Sequence, residues 1–196
     1  MKLFSCSAIV LAGGRATRLG GIDKALVSFK GRPLITHVLE RLAPQVDDIV
    51  INCNRNEETL SALGYPLVGD KQLNYSGPLM GVISALPRCR HELILIVPCD
   101  TPFLPSDLYS RLAERMSPDI DLVLADDGER MQPLFMLLRR HLIDSLRDYH
   151  QQGQYKVVDW CRSQKMTTAV FTDKSAFTNL NTEEELRAAE NTKAGT

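Results

Sequence analysis

The sequence predicts an α/β fold built on a mainly parallel, mixed sheet with helices on both faces. Near-continuous apolar runs at 6–12 ("CSAIVLA"), 47–54 ("DDIVINCN") and 92–100 ("ELILIVPCD") have the composition of strands buried on both faces. Segments with helical spacing alternate with these runs, as in a sheet whose crossovers are helices. Further on, "DLVLAD" and "PLFMLL" flank a turn at Asp127-Gly128, which adds a hairpin-like pair to the otherwise parallel sheet.

The first strand, 6–12, stops at Gly13 and Gly14. Beyond the loop, "ALVSFKGRPL" holds a short extended piece and a Gly-Arg-Pro turn. Pro33 then suits the first position of a helix to about Leu42, with Leu34, Ile35, Val38, Leu39 and Leu42 on one face. After the strand at 47–54, "NEETLSALG" is an acidic helix start with Gly64 as its stop. "YPLVGD" (65–70) is a short strand, "GPLMGVISAL" (77–86) a helix, and 92–100 the most apolar strand. Ser106 is expected to cap a helix in "PSDLYSRLAERM", and "LRRH" at 138–141 to be a solvated helix start. Helices over 140–151 and 155–163, a strand at 166–171 and a helix from Thr182 complete the chain, and Thr182 and Glu185 have capping-box spacing. With no repeat, linker or low-complexity segment, residues 1–196 are read as one domain.

Composition narrows the function classes. A net charge of −1 gives no broad electrostatic footprint for nucleic acid or acidic lipid, so charges act locally. Five cysteines without a C-x-x-C pair do not suit a disulfide framework, and a reducing cytoplasm fits them better. The apolar stretch before Cys6 in "MKLFSCSAIVLAGG" is too short for a signal peptide, and no run approaches the roughly 20 residues of a membrane span.

In an open parallel sheet, ligands gather outside the carboxyl ends of the strands. That rule selects the loop "LAGGRATRLGGIDK" (11–24), Asn52 and Asn54, Asp70, and Asp100 in "VPCDTPF". The loop suits a nucleoside triphosphate: glycines let backbone N–H groups face phosphate oxygens, while Arg15, Arg18 and Lys24 offset charge. Neither G-x-x-x-x-G-K-[ST] nor G-x-G-x-x-G is present. Asp100 is placed to hold Mg²⁺, which keeps most of its waters and uses one or two carboxylates plus substrate phosphates, although an Asp there can equally cap a turn. Asp70 and Asn52 are suited to the polar edges of a base or ribose. His37, His91, His141 and His150 lack metal-ligand spacing, and Asn181 reads as a helix cap.

"LAGGRATRLGGIDKALVSFKGRPLITHV", "VPCDTPFLP" about 75 residues later and "FTNLNTEEEL" together resemble the molybdenum cofactor guanylyltransferases, from about Ser7 to Glu190. Sugar nucleotidyltransferases share L-A-G-G but usually carry Pro-Lys where this chain has Gly-Gly-Ile-Asp-Lys. The resemblance implies a Rossmann-like nucleotidyltransferase three-layer sandwich. It further implies transfer of GMP from GTP to molybdenum-loaded molybdopterin, with release of pyrophosphate and Mg²⁺ as cofactor. Leu11, Ala12 and Gly13 would contact GTP through backbone, Lys24 and Arg18 would grip its phosphates, Asn52 and Asp70 would bind the nucleoside, and Asp100 would bind both GTP and Mg²⁺. The C-terminal half would line the pterin site, with Asn179 and Asn181 matching the family's Asn-x-Asn-Thr pattern and Lys156 a basic contact. Tyr155 stands where the family often has a second basic residue. Other cofactor-biosynthesis or insertion proteins are implied as partners. The loop does not name the base, so a molybdopterin cytidylyltransferase or another small-substrate nucleotidyltransferase is the nearest alternative. A non-catalytic nucleotide-binding adaptor is the alternative of another class.

Overall fold

Alternation along the first strand, β1 (Cys6–Leu11), divides the core in two. Ala8 and Val10 face one side of the sheet and Ile9 the other, and all three are fully buried. The computed structural model describes residues 5–14, 23–70 and 77–191. After β1 come a small hairpin, β2 (Ser28–Phe29) and β3 (Arg32–Pro33), helix α1 (Leu34–Leu42), β4 (Asp48–Asn52), α2 (Glu57–Ser61) and β5 (Leu67–Val68). Then follow α3 (Pro78–Ala85), β6 (Leu93–Pro98), α4 (Leu108–Ala113), β7 (Leu122–Asp126) and β8 (Met131–Arg139). Helices α5 (Leu142–Gln151) and α6 (Val157–Arg162), strand β9 (Met166–Val170) and helix α7 (Glu183–Asn191) end the described chain.

Seven strands form one sheet in the order β5-β4-β1-β6-β8-β7-β9. Only β8 runs against its neighbours, pairing antiparallel with both β6 and β7, while β9 returns parallel to β7. The mixed sheet expected from "DLVLAD" and "PLFMLL" is therefore present. Ile35, Val38 and Leu42 of α1, Leu60 of α2, and Leu108 and Leu112 of α4 cover the face to which Ala8 and Val10 point. Leu79 and Val82 of α3, Leu142 and Leu146 of α5, and Trp160 of α6 cover the other. Both faces of the sheet are thus closed, which is why its central strands carry almost no polar side chains. Ser7 and Asn52 are buried exceptions, and the Ser7 hydroxyl is satisfied: it donates to Asp48 Oδ1 at 2.7 Å and accepts from the N–H groups of Arg90 and His91 at 3.0 Å each.

A third apolar cluster ties the ends of the chain together. Val27, Phe29 and Leu34 around the hairpin pack with Leu180 and Leu186, seating α7 beside the segment that follows Lys24. Lys30 and Gly31 both take positive φ (48° and 77°), forming the two-residue turn whose twist suits such a hairpin.

Three local expectations are corrected. Pro33 lies in β3 and caps α1 rather than opening it, because its carbonyl side continues the hairpin (ψ 140°). Asp107, not Ser106, occupies the cap position of α4, and its side chain makes no capping hydrogen bond. "LRRH" is not a solvated helix start: Leu138 and Arg139 finish β8, and the Arg140 guanidinium donates to the carbonyls of His91 (2.9 and 3.1 Å) and Cys89.

Candidate active site

The chain leaves β1 for β4 on one side, then crosses through α3 to β6 on the other, so β1 stands where the strand order reverses. A crevice at the carboxyl ends is the expected result. A cavity of about 420 Å³ lies there, lined by residues that follow β1, β4, β5 and β6. Of the residues singled out in the sequence, Leu11, Ala12, Gly13, Lys24, Asn52, Asp70, Asp100 and Asn179 line it, and Asn181 does not. Arg18 lies outside the described residues, as does Arg15.

Backbone geometry opens the crevice. Ala12 N–H donates to the Asn52 carbonyl at 2.8 Å and Cys99 N–H to the Leu11 carbonyl at 3.1 Å, which holds the start of the loop between β4 and β6. A Cβ at Gly13 would lie 2.8 Å from Asn54 Nδ2 and 2.9 Å from Asn52 Oδ1, so only glycine brings the backbone this close to the two amides. Residues 133–135 of β8 bulge out of the pairing with β7, whose register jumps from Leu124↔Met136 to Ala125↔Gln132. Leu134 on this bulge adds an apolar side chain to the cavity wall.

Lys24 and Asp100 meet at the centre. Asp23 caps a single 3₁₀ turn, Lys24–Leu26, by accepting from Ala25 N–H at 3.1 Å, while its other oxygen accepts from Asn56 Nδ2 at 3.0 Å. The turn so fixed presents Lys24 Nζ to Asp100 Oδ2 at 3.2 Å, and the same ammonium donates to Asn181 Oδ1. Asp100 is 7% exposed, and its backbone carbonyl accepts from Leu180 N–H at 3.0 Å. The C-terminal segment is thereby attached to both residues. Asn181 is not the cap of α7: Thr182 Oγ1 accepts from Glu185 N–H at 3.1 Å and Glu185 Oε2 accepts from Thr182 N–H at 3.0 Å, the reciprocal capping box.

On the β5 side, Asn52 Nδ2 donates to Asp70 Oδ1 at 2.9 Å and to the Val68 carbonyl at 3.1 Å. Asn54 Nδ2 donates to Asp70 Oδ2 at 2.7 Å. Each oxygen of Asp70 is held by a different amide, so the plane of the carboxylate is set. Asp23 falls within the loop selected from the sequence but has no role assigned there; its position immediately before a lysine that must be aimed is the signal for one.

Lys156 does not line this cavity. It stands at the start of α6, where its carbonyl accepts from the Tyr149 hydroxyl at 3.1 Å. His37, His91, His141 and His150 do not line it either; His91 and His141 face Asp48 and Asp121 at 3.3 and 3.5 Å.

Among the described lining residues, Asp23, Asp70 and Asp100 outnumber the one cation, Lys24. An anionic ligand in such a wall needs added positive charge. A hard divalent cation fits this donor set, because it binds through one or two carboxylates and completes its shell with water and phosphate oxygens. Among the described residues no cluster of three or more His, Cys, Asp or Glu side chains could hold a metal ion by itself.

Comparison with known proteins bears on this arrangement. Residues 8–167 match the MobA-like NTP transferase domain. The chain is 42% identical over 180 residues to a molybdenum cofactor guanylyltransferase of Shewanella halifaxensis, covering 91% of this chain and 90% of that one. It is 44% identical over 187 residues to the protein of that name from Polynucleobacter asymbioticus, with 93% and 94% covered. Among solved structures, molybdopterin-guanine dinucleotide biosynthesis protein A from Archaeoglobus fulgidus superimposes with a TM-score of 0.77 at 23% identity, over 94% of this chain and 96% of that one. The same fold extends to a 4-diphosphocytidyl-2C-methyl-D-erythritol synthase from Anaerococcus prevotii, at a TM-score of 0.74 and 13% identity over 95% of each chain. By its sequence match across most of its length, this chain belongs to the MobA-like NTP transferase family and is a nucleotidyltransferase.

Proposed function

We propose that this enzyme transfers GMP from GTP to molybdenum-loaded molybdopterin, releasing pyrophosphate. The observation that carries the proposal is the convergence of Lys24 and Asp100 beside the glycine-opened end of β1, in a chain over 40% identical to two guanylyltransferases. Its reactants are GTP and the molybdenum-loaded pterin, and a reducing cytoplasm suits its five free, buried cysteines.

The chain's own residues supply positioning and charge. Leu11, Ala12 and Gly13 line the path of the nucleotide; the Ala12 N–H is spent on the Asn52 carbonyl, so the phosphates meet the backbone at Gly13, which for want of a Cβ lies against Asn52 and Asn54. Lys24, released from Asp100 as the triphosphate enters, stabilises negative charge building on the pyrophosphate leaving group. Asp100 is the residue to hold a divalent cation, Mg²⁺ in this reading, which when bound neutralises phosphate charge beside the reacting phosphorus. A terminal phosphate oxygen of the pterin attacks the α-phosphorus and the bond to the β-phosphate oxygen breaks. No strong general base is required, because that phosphate is already ionised near neutral pH. Catalysis rests on alignment and electrostatics. Arg18 adds to the phosphate grip, while Asn179 and Lys156 are the residues assigned to the pterin side.

Asp70 supports the choice of guanine on chemical grounds. A carboxylate fixed in its plane offers two adjacent acceptors, which match the neighbouring N1–H and N2–H₂ donors of guanine. Adenine and cytosine present a donor beside an acceptor. The test is incubation of the purified protein with Mg²⁺, molybdenum-loaded molybdopterin and each of GTP, CTP, ATP and UTP, following pyrophosphate release and nucleotide incorporation. GMP incorporation is expected, and efficient CMP incorporation in its place overturns the reading.

A further inference from the structure

Asn54 lies two residues beyond β4, the strand between β1 and β5. One side-chain amide there reaches both neighbours. Its Nδ2 donates to the Gly13 carbonyl after β1 at 3.2 Å and to Asp70 Oδ2 after β5 at 2.7 Å, while its Oδ1 accepts from the Asp70 N–H at 2.7 Å. Both amide hydrogens and the carbonyl are therefore committed, and Asp70 is gripped through main chain and side chain at once. Gly13 and Asp70 line the cavity; Asn54 does not.

We propose that Asn54 is a positioning residue that determines nucleotide specificity by locking Asp70 to the Gly13 backbone, so that nucleoside and phosphate ends of the ligand meet a single rigid frame. This rests on the reading above that the nucleoside lies against Asp70. A carboxylate discriminates between base edges only while its plane is fixed, because a free rotor adapts to one donor as readily as to two. Asn52 holds Oδ1 alone and leaves rotation about that contact open; the second and third bonds come from Asn54. The same bonds set the distance between Asp70 and Gly13, and hence between base and triphosphate.

A double-mutant cycle tests the proposal. Binding of GTP, CTP and ATP is measured by calorimetry with Mg²⁺ for the wild type, Asn54→Ala, Asp70→Ala and the double variant, together with kcat and KM for GTP. Asn54→Ala should weaken GTP binding about tenfold and narrow the GTP-over-CTP preference about tenfold, with the loss falling on KM more than on kcat. Because Asn54 acts through Asp70, the double variant should bind GTP no more weakly than Asp70→Ala. Unchanged affinity and preference in Asn54→Ala, or additive losses in the double variant, overturn the proposal. Should Asn54→Ala melt below the assay temperature, Asn54→Asp keeps an acceptor for the Asp70 N–H but turns an oxygen toward Asp70 Oδ2, and an equal or larger loss of preference is expected. A wild type that favours another nucleotide overturns guanylyl transfer alone; the cycle on that nucleotide then decides the role of Asn54.

Discussion

Lys24 Nζ and Asp100 Oδ2 lie 3.2 Å apart although the residues are 76 positions apart in the chain, and the ammonium also donates to Asn181. In the proposed mechanism, the cation for the triphosphate is thus stored against the carboxylate for the metal. Each offsets the charge of the other until both acquire partners. Lys24→Ala and Asp100→Ala should each lower kcat/KM by about 10²–10³, the usual cost of removing a group that stabilises developing charge. Circular dichroism and melting should show a folded protein in both cases. Pyrophosphate release near the wild-type rate from either variant would remove its residue from the mechanism.

The capping box should affect catalysis as well as stability. Glu185 Oε2 accepts from Asn181 N–H at 2.6 Å as well as from Thr182 N–H, so it sets the backbone of the residue that bonds Lys24. Glu185→Ala should cost about 1 kcal/mol of stability, as lost caps do, and lower kcat with little change in GTP affinity. Glu185→Gln retains an acceptor and should restore most of both. A cap acting on stability alone would leave kcat at the wild-type value.

Much of this site was legible because strand ends announce themselves. Apolar runs ending in Gly13, Asn52 and Asp100 locate three corners, and the rule for parallel sheets brings them to one edge. Position along the chain says less about partners reached by long-range bonds. Asn181 read as a cap because an amide before a helix is usually one, yet Thr182 holds the cap and Asn181 turns to Lys24. Nothing local marked "LRRH" as strand end and latch, because the carbonyls of Cys89 and His91 that receive Arg140 come from a segment about 50 residues earlier. The bulge carrying Leu134 is equally hidden, because its place beside the cavity follows from β8 lying between β6 and β7.

The cysteines should be silent to alkylation in the native state. All five are buried, and burial raises each thiol: Cys53 to about 11, Cys89 and Cys161 to about 12, and Cys6 and Cys99 well above the usual range. Iodoacetamide at pH 8 should label few or none until denaturant is added, when five adducts form. Raised folded-state values also fix the direction of the pH dependence. Above about pH 8.5 the unfolded thiols lose protons that the folded ones keep, so stability is full below that pH and falls as pH rises toward 11–12. Melting temperature should decline over this range, and Cys161→Ala should remove part of the slope.

Gly81 supplies the most discriminating single substitution. It lies inside α3, where alanine would ordinarily gain up to about 1 kcal/mol in helix propensity. A Cβ there, however, would stand 2.3 Å from Asn52 Oδ1, 2.9 Å from its Cγ and 3.0 Å from Leu11 Cδ2. The Asn52 side chain is not free to retreat without loss, since its Nδ2 is bonded to the Val68 carbonyl and to Asp70. Overpacking of this kind costs about 1–3 kcal/mol, so Gly81→Ala should be destabilised by no more than about 2 kcal/mol after the propensity gain. Displacement of Asn52 should meanwhile weaken GTP binding about tenfold by calorimetry, a loss out of proportion to the change in melting temperature. Affinity within twofold of the wild type would mean that Asn52 yields without consequence, and would remove it from the nucleoside site.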